Sequence, residues 1–119
     1  MKRLLTAIVL SLIMAAGAYA GATPEYPGGE AALEKYLAGN MKYPQRVIDN
    51  GIEGKVTVAF TVKADGSIGN IKIVRMIDPD LEAEAVRLVK NMPAWTPADQ
   101  NGNPVDAPVQ IDINFSLPE

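Results

Sequence analysis

The amino-acid sequence predicts an α+β fold: a three-stranded antiparallel sheet of β-β-α-β order with helices packed on one face. Three observations predict it. Lys55 to Lys63 alternates large apolar residues with small or polar ones, Val109 to Phe115 alternates apolar and polar residues strictly, and between them Leu81 to Met92 carries an apolar stripe at helical spacing. Period-two alternation marks a strand with one buried and one wet face, and a stripe of period 3.6 marks a helix with one buried side.

Taken in order, Thr23 to Gly29 holds two prolines and two glycines, which predicts an extended leader outside any packed element. Glu30 to Ala38 sets Leu33, Tyr36 and Leu37 on one side of a short helix, with Gly39 as a left-handed stop. Pro44 suits the first position of a second short helix, which carries Val47 and Ile48 and ends at Gly51. In the first strand Val56, Val58, Phe60 and Val62 face one way. Ala64 to Ser67 is a reverse turn that uses Gly66, and Asn70 to Met76 returns as the partner strand with Ile71 and Ile73 inward.

Asp78 and Pro79 open the next helix, the carboxylate capping free N–H groups and the proline sitting where no donor is missed. Asp80, Glu82 and Glu84 near its start, with Arg87 and Lys90 near its end, complement the helix dipole, and Pro93 stops it. Ala98 to Pro108 is rich in turn residues. The last strand then points Val109, Ile111, Ile113 and Phe115 into the core and Gln110, Asp112 and Asn114 outward. Phe60, Ile73, Leu88 and Ile111 should support one another in that core.

The 119 residues are 48% hydrophobic and 21% charged, with no histidine and no cysteine. That balance fits one globular domain. It leaves no imidazole or thiol for a nucleophile, general base or haem ligand, so enzymatic chemistry, metal sites and cofactors are not expected. Beyond Ala20 the only serines are Ser67 and Ser116, with no base to activate them. The acidic series Asp78, Asp80, Glu82 and Glu84 diverges around a helix, and the run Asp99 to Asp106 lacks the spacing of a calcium loop. Gly28-Gly29 follows no strand, so it is not a phosphate loop, and Trp95 reads as a lid over helix and sheet.

Lys2 and Arg3 precede an uncharged run from Leu4 to Ala16, and Ala18-Tyr19-Ala20 reads as a cleavage site. As a helix that run spans only ~20 Å, short of a ~30 Å hydrocarbon core. Residues 1–20 are therefore expected to be a cleaved secretory signal and residues 30–119 the domain, with an uncleaved inner-membrane anchor as the alternative. From Gly21 onward nine basic groups face fourteen acidic ones, so nucleic acid is not an expected partner.

A three-stranded sheet leaves two edges to blunt or to use. No proline or lysine interrupts Val109 to Leu117, so this strand could recruit an extended peptide, pair with a second copy as a homodimer, or simply be covered by the N-terminal leader.

Tyr43-Pro44, Gly51-Ile52-Glu53-Gly54-Lys55-Val56, Asp65-Gly66 and Trp95-Thr96-Pro97 fall in an order and spacing that resembles the C-terminal domain of TonB-family energy transducers, over nearly all of the chain after Ala20. Glu25 to Glu30 resembles the segment that leads into this domain in one branch of the family. The resemblance implies a periplasmic module that binds the short extended TonB box of an outer-membrane transporter beside the last strand. The implied binding residues are Val109, Gln110, Ile111, Asp112, Ile113, Asn114 and Phe115, with Asn40, Met41, Lys42 and Tyr43. Full transducers also carry a membrane helix that meets inner-membrane motor proteins, and a long Pro-rich linker. Residues 1–29 match neither, so the expectation is partner recognition, with a minimal anchored transducer, or an accessory protein binding cell wall or another TonB-like domain, as alternatives.

Overall fold

The computed structural model describes residues 10–14 and 22–117. In order these form β1 (Leu10–Met14), α1 (Glu30–Asn40), α2 (Gln45–Asp49), β2 (Gly54–Val62), β3 (Ile68–Arg75), α3 (Pro79–Lys90), β4 (Ala98–Gln100), β5 (Asn103–Val105) and β6 (Ala107–Phe115). The proposed cleavage site at Ala18 to Ala20 lies outside the described residues.

The expected three strands form one antiparallel sheet, with β2 between β3 and β6, and β1 adds a fourth strand on the outer side of β6. β2 and β6 pair along their whole length, from Gly54 opposite Phe115 to Val62 opposite Ala107. This register places Val56, Val58, Phe60 and Val62 on the same face as Val109, Ile111, Ile113 and Phe115, all buried. Leu81, Ala85, Leu88 and Val89 of α3, Leu33 and Leu37 of α1 and Val47 of α2 complete the core on that face. Ile71 and Ile73 of β3 pack against it half-buried, as the alternation predicts.

The local signals act largely as read. The Asp78 carboxylate accepts from the N–H groups of Asp80 (2.9 Å) and Leu81 (3.2 Å), and Pro79 follows in the first turn. The same carboxylate takes a 2.6 Å hydrogen bond from Arg46, which ties α2 to the start of α3. Gly66 sits at φ 89° in the β2–β3 turn, where a Cβ would come within 2.4 Å of the Trp95 carbonyl oxygen. Glycine is needed there on both counts.

Three expectations need correction. Gly39 does not end α1: the helix runs to Asn40, whose side-chain amide donates to the Tyr36 carbonyl while the Met41 N–H reaches Leu37 O. The turn-rich run after Trp95 contains a hairpin, β4–β5, closed by Asn101 and Gly102 at φ 55° and 82°. Asn-Gly is the sequence such tight hairpins prefer, and it was there to be read. Nor does the segment 23–29 stay outside the packed structure. Glu25 pairs with Thr96 through two backbone hydrogen bonds (3.0 and 2.8 Å), and Tyr26, only 8% exposed, packs edge-on against Trp95 with centroids 5.7 Å apart. The aromatic ring, invisible to a reading based on Pro and Gly, is what draws the segment in.

Two measurements check this fold. Phe60→Ala should cost about 3–5 kcal/mol, and Thr61→Ala, on the wet face, about 0.5 kcal/mol, read as urea midpoints. The Arg46 guanidinium holds the Asp78 carboxyl below the usual carboxylate range. The stabilisation is therefore present in full above the ordinary carboxylate pKa and lost as pH falls through the lowered one. Asp78→Asn keeps the cap but not the charge, so its stability should fall less steeply between neutral pH and about pH 2.

Candidate functional site: the outer edge of β6 and the Asn40–Tyr43 segment

The two sets of residues singled out in the sequence occupy neighbouring parts of the fold and meet at one side chain. The Tyr43 hydroxyl donates to the Ser116 carbonyl oxygen (2.9 Å) and accepts from the Ser116 N–H (2.8 Å). Its ring meets Phe115 edge-on at 5.7 Å. Tyr43 thus clamps the end of β6, and burial pushes its phenol pKa up, partly offset by the Ser116 hydrogen bond. A second fastening lies beside it, where the Leu117 N–H donates to Glu53 Oε2 (2.8 Å).

Asn40, Met41 and Lys42 are held from the other side, by α3. Glu84, buried although charged, accepts from Arg87 Nε (2.8 Å) and Nη2 (2.6 Å), and from the backbone N–H of Lys42 (2.7 Å). Arg87 in turn donates to the Asn40 carbonyl oxygen (2.8 Å). A paired and fully hydrogen-bonded carboxylate is the form in which a buried charge is tolerated. The Lys42 and Asn40 side chains remain exposed and Met41 packs against the core, so the segment presents a polar surface on a fixed backbone. In the sequence Glu84 and Arg87 stand out only as helix-dipole partners. Their i,i+3 spacing signals an ion pair, but the segment it holds lies more than forty residues away and leaves no local trace.

Along β6, Val109, Ile111, Ile113 and Phe115 are spent on the core, so a partner reaches them only through the main chain. Gln110, Asp112 and Asn114 lie on the other face of the sheet. Asp112 accepts a 2.6 Å hydrogen bond from the Thr57 hydroxyl and has Lys55 Nζ at 3.8 Å. The outer edge of β6 carries β1 in antiparallel register, Leu10 opposite Ile113 through Met14 opposite Val109. The edge is thus covered, but by residues 10–14 and not by the leader, which was one of the expected occupants and whose Glu25 pairs with Thr96 instead.

Trp95 takes the lid position, buried against Phe60 and Tyr26. Among the described residues no cluster of three or more acidic, histidine or cysteine side chains could hold a metal ion. Nor is any helix among them long and apolar enough to cross a membrane.

Residues 39–117 match the family model described as the Gram-negative bacterial TonB protein C-terminal. The chain belongs to the TonB C-terminal family. It is 31% identical over 88 residues to Protein TonB of two Helicobacter pylori strains, a match covering 73% of this chain and 30% of each relative. The chain therefore spans under a third of the length of those TonB proteins. An NMR solution structure of the Helicobacter pylori TonB C-terminal domain superposes with a TM-score of 0.53 at 28% identity, covering 73% of this chain and 78% of that one. The match begins at Gly39, so it takes in the Asn40–Tyr43 segment together with β2, β3 and β6.

Within this TonB domain the Tyr43 clamp makes a specific demand on its hydroxyl. Tyr43→Phe leaves the Ser116 backbone without its partner and should cost about 1–3 kcal/mol. Amide exchange should quicken at Ser116 and Leu117 while the centre of β6 stays protected.

Proposed function

We propose that this TonB C-terminal domain works in the periplasm, released there by cleavage after Ala20, as a non-enzymatic binding module. It takes the extended TonB box of an outer-membrane transporter as an added strand on β6, in the service of transport across the outer membrane. The observation that carries this reading is the outer edge of β6, which accommodates an extended segment, Leu10–Met14, in continuous antiparallel register. Main-chain pairing of this kind supplies affinity, and the side chains at the rim supply choice. Membership of the TonB C-terminal family supports the choice of partner. The fixed backbone from Asn40 to Tyr43, beside the end of β6, supports a second contact for the same ligand.

In a chain that keeps residues 1–20, β1 competes for the edge at an effective concentration of roughly millimolar, as a tethered ligand does. A box peptide titrated by calorimetry should therefore bind the chain beginning at Gly21 more tightly than the full chain. Single prolines at Gln110, Ile111, Asp112 and Ile113 supply the direct test. Where the N–H faces the free edge, proline removes a donor and should weaken binding more than truncating a side chain does. Undiminished binding in every variant that folds by circular dichroism would rule out strand addition and move the contact to Asn40, Lys42 and Tyr43.

A further inference from the structure

The edge of β6 carries one charged side chain, Asp112, within the paired stretch Val109–Ile113. With a strand on each side it is only 7% exposed. A buried carboxylate has to be met by donors, and two oxygens offer about four acceptor positions. On the β2 side the Thr57 hydroxyl fills one position on Oδ1 at 2.6 Å. Lys55 Nζ stands 3.8 Å from Oδ2, near enough to balance charge but too far for a hydrogen bond. On the other side of Asp112 is the position directly across on the added strand, and in β1 that position is Ser11. The rest of the register sets apolar Leu10, Leu12 and Met14 opposite Ile113, Ile111 and Val109. Directly opposed side chains on neighbouring antiparallel strands stand within contact distance, about 4.5–5.5 Å between Cβ atoms.

We propose that Asp112 is a specificity-determining residue of the β6 edge, selecting strands that present a hydrogen-bond donor, a Ser or Thr hydroxyl or a Lys or Arg cation, directly opposite it. This rests on the strand-addition reading and adds what that edge reads. Backbone pairing is blind to sequence, and the inward residues of β6 ask only for apolar neighbours. Asp112 converts one position into a polar requirement. An acidic residue placed there sets two carboxylates side by side, with Lys55 already committed to the first. An aliphatic one covers the carboxylate without donating to it.

The probe is a set of fluorescein-labelled peptides with the core Leu-X-Leu-Ile-Met between soluble flanks, X being Ser, Lys, Ala or Asp. They are titrated by anisotropy against the chain beginning at Gly21. That chain retains every member of the core cluster, which starts at Tyr26, and circular dichroism verifies its fold. Ser and Lys peptides should bind about tenfold more tightly than the Asp peptide, with Ala between them. Asp112→Asn, which keeps the shape, should erase the difference between Lys and Asp. Asp112→Lys should reverse it, and if that variant does not fold, the Asn variant carries the comparison alone. Peptides that bind equally whatever X is, or that keep their order in Asp112→Asn, overturn the role of Asp112 and leave strand addition standing. Failure of all four peptides to bind the folded chain overturns strand addition itself, and the proposal with it.

Discussion

The pairing of β2 with β6 is the constraint on which the rest of the structure depends. It joins two strands far apart in the chain along their full length, and it fixes which face of each is apolar. A slip of one residue would turn one of these apolar rows to the wet face and Gln110, Asp112 and Asn114 into the core. The helices have no other surface on which to bury Leu33, Leu37, Leu81 and Leu88. The same pairing spends one side of β6 and leaves the other as the edge on which β1 lies.

The elements that were legible in the sequence are those whose periodicity reports burial directly. β2 and β6 each have one wet and one dry face, and α3 has a cap, a stripe and a matched charge gradient. What stayed hidden depends on partners distant in sequence. The capture of Tyr26 by Trp95 needs the fold to bring position 95 beside the leader. The tie from Glu84 and Arg87 to the backbone of Asn40 and Lys42 spans α3 and the exit of α1. The β4–β5 hairpin is a different case: each of its strands is three residues long, too short for alternation, and only Asn101-Gly102 announces it. β1 was concealed because its composition reads equally well as the apolar part of a signal segment.

The candidate site divides in the same way. Both of its parts could be named from the family resemblance, but their division of labour could not. Tyr43 turns out to hold the end of β6, with its hydroxyl committed in both directions to the Ser116 backbone. Asn40 and Lys42 lend backbone atoms to α3 and keep their side chains in solvent. The resemblance thus names a set of positions without distinguishing the clamp from the surface it supports.

β2 lies between a strand that follows it at once and the last of the described strands, and this order has a kinetic meaning. The β2–β3 hairpin can close early, since its loop is short. Its other edge must wait for β6, and closing a loop of about fifty residues costs entropy before any burial repays it. For a chain that emerges from a ribosome or a translocation pore N-terminus first, the core cannot close until residues 107–115 are out. The topology thereby keeps the segment from β2 to β5 open and threadable until β6 has passed.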